Sequence, residues 1–109
     1  MNPASAAPSA QGEIIVRQAP QGRLQLDIVT EHLVPPSALT PAGNVYVVWL
    51  QQPDDNPLEL GELRVDKKLS GELRTVTAFK RFKIFITAEP NAQEIAPQAQ
   101  PVLSADVAD

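Results

Sequence analysis

The chain contains no cysteine. That excludes a disulfide framework, a thiol nucleophile and any cysteine-ligated metal site, and leaves the redox compartment open. It contains one histidine, His32, and no Gly-x-Ser-x-Gly elbow. A Ser-His-Asp triad therefore has no recognisable nucleophile to work with, and zinc on a single imidazole plus carboxylates would be an unusual site. No apolar run approaches the roughly 20 residues that cross a bilayer as a helix. Aromatic residues make up only 5% of the chain. Basic residues are outnumbered, giving a net charge of −4 and a pI near 4.9, which argues against non-specific binding to nucleic acid or to an anionic membrane.

What is present suits one domain. The 109 residues are 43% hydrophobic, enough for a core without staples, and the 11 prolines argue against long helices. Residues 1–12 are mostly Ala, Ser, Pro, Asn and Gln, without the basic and apolar regions of a signal peptide. They are expected to form a disordered leader. The domain is expected over 13–104, with a frayed tail at 105–109.

The most apolar stretch is Val45-Tyr46-Val47-Val48-Trp49-Leu50, which holds the only Tyr and the only Trp. A β-branched and aromatic run between turn residues reads as a strand buried on both faces. Tyr46 and Trp49 have opposite parity, so they point to opposite faces, and the sequence does not say which faces the core. Before this run, Ile14-Ile15-Val16 marks a short strand within Glu13–Gln18. Pro20-Gln21-Gly22 is a turn. Leu24, Leu26 and Ile28 then alternate with polar residues over Arg23–Ile28, the period of a half-buried strand. Beyond Ile28 the phase slips, which predicts a bulge or a strand end near Val29-Thr30. Pro35 to Asn44 is a proline-rich loop.

After the central run, Pro53-Asp54-Asp55-Asn56-Pro57 is a turn. Leu58–Val65 is a strand with an irregularity expected at Gly61. Gly61-Glu62-Leu63-Arg64 recurs ten residues later as Gly71-Glu72-Leu73-Arg74. A hairpin centred on Lys68 would pair Leu63 with Leu73, Glu62 with Arg74 and Arg64 with Glu72. That strand runs to about Thr77. Arg81–Glu89 is a further two-sided strand, with Phe82, Ile84 and Ile86 on one face and Phe85 on the other, stopped by Pro90. Asn91 to Gln100 is a polar loop, and Pro101-Val102-Leu103 starts a last strand. Seven short strands at spacings of about ten residues with turn chemistry between them are the pattern of a β-sandwich. The two most apolar strands should lie side by side in one sheet, with the predicted hairpin in the other.

Four groups of residues invite chemistry. Glu31-His32 near a strand end reads as a solvated pair. Asp54, Asp55, Asn56 and Glu59 offer oxygen ligands for calcium, but their spacing matches no EF-hand loop and their chemistry is that of a turn. Seven of the nine basic residues (Arg64, Lys67, Lys68, Arg74, Lys80, Arg81 and Lys83) fall within one stretch. Glu62, Asp66 and Glu72 are interleaved with them, so a solvated face outweighs a patch for an acidic partner. Glu89 lacks a recognisable carboxylate partner for acid–base work and suits capping of a loop. No catalytic, cofactor-binding or metal-binding residue is assigned.

Tyr46-Val-Val-Trp49-Leu50, the Gly61-Glu-Leu63 strand, Phe82-Lys-Ile84-Phe-Ile86-Thr87-Ala88-Glu89-Pro90 and Pro101-Val102-Leu103 together resemble the extracytoplasmic C-terminal domain of bacterial anti-sigma-K factors. They are also similar to related stand-alone domains of bacterial surface or periplasmic proteins. The resemblance covers about residues 44–104 and rests mainly on core and turn positions. The sigma-binding helices, the transmembrane helix and a Gly-Gly-Ser loop after the Glu-Pro are missing from this chain, so sigma-factor binding does not carry over. What the resemblance implies is an Ig-like domain outside the cytoplasm. The expectation is thus an all-β, Ig-like Greek-key sandwich of about seven strands. Its expected role is that of a non-catalytic extracytoplasmic interaction or sensory module in the periplasm or at the cell surface. Its partner would be a protein or cell-envelope component, with no nucleic acid, cofactor or direct membrane insertion. A carbohydrate- or small-ligand-binding sandwich is the alternative, and exposed coplanar aromatics would distinguish it.

Overall fold

The computed structural model describes residues 2–3, 11–38, 43–91, 96–97 and 101–108. Seven strands form two antiparallel sheets: β2 (Gln11–Gln18), β3 (Leu24–Glu31), β4 (Val45–Gln51), β5 (Leu58–Leu63), β6 (Gly71–Thr77), β7 (Arg81–Glu89) and β8 (Leu103–Ala108). A two-residue strand, β1 (Asn2–Pro3), adds to β8. One sheet has the order β1-β8-β7-β4-β5 and the other β2-β3-β6. From β2 onward the chain changes sheet three times, at β3–β4, β5–β6 and β6–β7, which makes the Greek-key connectivity of an Ig-like sandwich.

The strand alternation dictates the packing. Tyr46, Val48 and Leu50 of β4 face inward with Phe82, Ile84, Ile86 and Ala88 of β7 and Leu103 of β8. They meet Leu24, Leu26 and Ile28 of β3, with Ile14 and Leu73 at the margins. Each fully buried aliphatic side chain here contributes about 1.5–3 kcal/mol relative to exposure. As expected, β4 and β7 are central neighbours, in register from Val45↔Glu89 to Gln51↔Lys83.

Gly61 carries the expected irregularity. Val48 pairs with Gly61 and Trp49 with Glu59, so Leu60 is an extra residue at a bulge. Gly61 takes φ 153°, where side chains are strained.

Of the predicted hairpin between the Gly-Glu-Leu-Arg repeats only its inner end forms, as one antiparallel bridge, Val65↔Gly71, in the expected register about Lys68; beyond it the two strands part. β5 pairs with β4 and β6 with β3, in different sheets. Leu63 lies opposite Tyr46, and Leu73 lies opposite Ile28. Arg74 lies opposite Asp27 rather than Glu62, and Glu62 lies opposite Val47. Arg64, just past the end of β5, forms an ion pair with Glu62, Nε to Oε2 3.4 Å. Each leucine finds a larger inter-sheet core than a two-stranded hairpin offers. Residues 64–70 turn the corner, with Asp66 Oδ1 accepting the amides of Lys68 and Ser70 at 2.8 and 3.0 Å.

Of the two alternatives expected near Val29-Thr30, the strand end holds and the bulge does not: β3 stays in register with β2 and ends at Glu31. The phase changes at His32, whose φ of 56° turns the chain so that Leu33 enters the core and its amide donates to Leu69 O at 3.0 Å. The tail expected to fray at 105–109 is instead strand over Ala105–Ala108, which pair with β7 as far as Arg81↔Ala108, and Asp109 lies outside the described residues. Gln11 and Gly12, placed in the leader, belong to β2. Met1 and residues 4–10 of that leader, 39–42 of the Pro35–Asn44 loop and 92–95 and 98–100 of the Asn91–Gln100 loop lie outside the described residues.

Candidate functional site

The two ends of the sandwich differ. At one end β4 begins, β7 finishes and the 64–70 corner turns. At the other, β4 runs into the Pro53 turn while β7 starts and β8 finishes. The second end holds a groove of about 410 Å³ lined by Gln51, Gln52, Pro53, Asp54, Arg81, Phe82, Lys83, Asp106 and Val107.

The groove follows from strand register. Gln51 lies opposite Lys83, and Lys83 lies opposite Asp106, so three polar side chains form a row across β4, β7 and β8. Phe82 and Val107 lie opposite each other on the inward face and give the groove an apolar floor. The Pro53 turn supplies the remaining wall. Asp54 sits there at φ 59°, Asp55 donates its amide to Gln52 O at 3.2 Å, and Gln51 Nε2 donates to Asp55 O at 2.8 Å. Arg81 and Lys83 oppose Asp54 and Asp106 around the rim, so the groove carries both charge signs over apolar surface.

The other candidate residues are dispersed. His32 and Glu31 are exposed at the end of the sandwich away from the groove. Asp55 uses its carboxylate within its turn, accepting the Asn56 amide at 2.8 Å. Among the described residues, no three His, Asp or Glu side chains are grouped to hold a metal ion. The seven clustered basic residues do not form one patch. Arg64, Lys67 and Lys68 sit at the corner, Arg74 lies on the outer face of the three-stranded sheet, and Lys80, Arg81 and Lys83 lie toward the groove end. Lys80 Nζ donates to Gly22 O.

Two polar networks are fixed in place. On the outer face of the three-stranded sheet, Asp27 is only 4% exposed. Its Oδ1 accepts from Arg74 Nε at 3.0 Å and from Gln25 Nε2 at 3.2 Å. Burial pushes its carboxyl up, but these two hydrogen bonds and the charges of Arg74 and Arg17 outweigh that and hold it below the usual carboxylate range. On the outer face of the larger sheet, Val47, Trp49 and Phe85 are buried together, with the Trp49 and Phe85 rings stacked 6.5 Å apart at 18°. Trp49 Nε1 donates to Thr87 Oγ1 at 2.8 Å, and Thr87 Oγ1 donates to Glu89 Oε2 at 2.5 Å. Glu89 is fully buried.

Of the central pair, Tyr46 is the residue between the sheets and Trp49 the one on the outer face. Burial pushes the Tyr46 hydroxyl up to about 12, and that hydroxyl donates to Val34 O at 2.6 Å.

Sequence reading singled out Asp54, Arg81 and Lys83 for other reasons and passed over Gln51, Asp106 and Val107. The last two were assigned to the tail, although Leu103, Ala105 and Val107 alternate with Ser104 and Asp106 as a strand does. Comparison of the chain with protein-family models, curated proteins and solved structures finds no match.

Proposed function

We propose that the protein is a non-catalytic interaction module that works outside the cytoplasm, as part of a bacterial envelope or exported protein, and that its partner is a protein. The end groove carries this reading. An apolar floor of Phe82 and Val107 inside a rim of Arg81, Lys83, Asp54 and Asp106 has the anatomy of a small protein–protein contact. Balanced rim charges favour a polypeptide with both signs over a polyanion. The resemblance of residues 44–104 to extracytoplasmic anti-sigma-K domains supports the compartment.

The alternative is a carbohydrate- or small-ligand-binding sandwich. Of the five aromatic side chains, Tyr46, Trp49, Phe82 and Phe85 are buried and Phe79 is half-buried, which leaves no broad stacking platform for a sugar. The test is photo-crosslinking in cells from a benzoylphenylalanine placed at Gln52 on the groove rim, with Lys68 at the far corner as control. The proposal expects discrete protein adducts from Gln52 alone. The same adduct pattern from both positions, or none from Gln52, would count against it.

A further inference from the structure

We propose, building on the groove reading above, that the partner enters the groove as an extended peptide segment of alternating charged and apolar residues. Its central charge is a carboxylate, and a basic residue stands two positions away on each side.

The rim charges are uncommitted. Asp54, Arg81, Lys83 and Asp106 are all exposed. Among the described residues none of the four has an ion pair or a side-chain hydrogen bond. Lys83 lies directly opposite Asp106 across β7 and β8, close enough for a cross-strand pair, yet the two stay apart. The comparable pair in the other sheet, Arg74 opposite Asp27, is closed at 3.0 Å. Arg81 and Lys83 are two residues apart in a stretch without a register shift, so they leave the same face of β7. Two cations roughly 7 Å apart along a strand repel each other until an anion lies between them.

Strand order fixes the order of the signs. β7 lies between β8 and β4, so Lys83 has Asp106 on one side and Gln51 on the other. Pairing of β4 with β7 stops at Gln51, and Asp54 follows in the turn that walls that side. Across the strand ends the rim therefore runs negative, positive, negative. A segment laid over it meets complementary charge when it runs positive, negative, positive. A carboxylate over β7 takes paired hydrogen bonds from the Arg81 guanidinium and a third from Lys83. A polyanion would meet Asp54 and Asp106 on either side, which is the repulsive element that selects against it.

Parity fixes the alternation. Phe82 and Val107 point between the sheets, while Lys83 and Asp106 point away from them. The groove is thus apolar on its inner side and charged on its outer side. Successive side chains of an extended segment go to opposite sides, so one that alternates charged and apolar residues serves both sides at once. The volume of about 410 Å³ has room for a few such side chains.

Titration of the nitrogen-labelled full chain, followed by amide shifts, tests the proposal. The probe is the acetylated and amidated peptide Lys-Leu-Glu-Leu-Lys, compared with its charge-inverted form Glu-Leu-Lys-Leu-Glu. The expected shifts centre on Gln51, Lys83 and Asp106, with the inverted peptide bound at least about tenfold more weakly, since it sets like charges together at three places. Lys83→Glu should weaken the first peptide by about tenfold and favour Lys-Leu-Lys-Leu-Lys over it, a gain that misfolding cannot produce. Lys68→Glu, at the far corner, should change neither. Equal binding of the probe and its inverted form, shifts centred elsewhere, no binding at about 1 mM peptide, or indifference to Lys83→Glu would overturn the proposal. Protein adducts from Gln52 beside such a result would leave the groove reading standing and remove only the charge order; their absence as well would remove both.

Discussion

Tyr46 and Trp49, three residues apart in β4, are both buried, but on opposite faces of one sheet. Tyr46 fills the space between the sheets, and Trp49 stacks on Phe85 behind them. The chain has one tyrosine and one tryptophan, so each face has its own optical reporter.

The first prediction uses the tyrosine. Its hydroxyl ionises at about 12 in the folded protein, against roughly 10 in an unfolded chain. The folded state holds this proton more tightly. Stability from this group is therefore complete below pH 10 and is lost as pH rises from there through 12. Absorbance at 295 nm should show one ionisation near pH 12 in the native protein and near 10 in denaturant. Tyr46→Phe should remove this alkaline loss while leaving Val34 O without its donor, at a cost of about 1 kcal/mol at neutral pH.

The second concerns the network behind the sheet. Thr87→Val keeps the shape but removes the acceptor of the Trp49 indole and a donor to the buried Glu89 carboxylate. Urea unfolding should show a loss of about 2 kcal/mol, because the buried indole N–H loses its acceptor and the buried Glu89 loses one of its donors. Thr87→Ser keeps the hydroxyl and should cost only about 1 kcal/mol for the lost methyl.

The third follows from Asp27. Its folded-state carboxyl is held below the usual range, so its contribution is present above the unfolded value near 4 and is lost as pH falls through the folded one. Asp27→Asn should flatten the acid limb of a stability-versus-pH curve below pH 4. Arg74→Met should flatten it in part, since Gln25 and Arg17 remain.

The fourth separates the two halves of the Gly-Glu-Leu-Arg repeat. A Cβ at Gly71 would lie 2.9 Å from Thr30 Oγ1 and 3.1 Å from Arg64 O, where neighbouring backbone must shift. Gly71→Ala should destabilise by about 1–3 kcal/mol through overpacking. At Gly61 the nearest atoms are 3.4 Å or more away, and only the φ of 153° resists. Gly61→Ala should cost about 1 kcal/mol from backbone strain alone.

These sites show what the sequence made legible. The apolar run at 45–50 and the strand at 81–89, with Phe85 on the face opposite Phe82, Ile84 and Ile86, announced two central strands because burial on both faces puts apolar side chains at both parities. Periodicity placed Leu24, Leu26 and Ile28 on one face, and Gly61 announced its bulge. Strand pairing was less visible. Glu62 and Arg74 match as a hairpin pair, yet Arg74 matches Asp27 equally well, and local charge cannot choose between partners forty-odd residues apart. The turn at His32 was hidden because a left-handed residue other than glycine leaves no compositional mark. Opposite parity for Tyr46 and Trp49 was certain, while the inward residue depended on how the sheets stack. The groove was the least legible feature, since it joins the ends of three strands that are far apart in the chain.

The most direct test of the central reading is the location of the native protein, followed by fractionation and by protease accessibility in intact and opened cells. An extracytoplasmic interaction module should appear outside the cytoplasm and become protease-accessible without lysis of the inner membrane. Protein found wholly in the soluble cytoplasmic fraction and protected until that membrane is broken would contradict it.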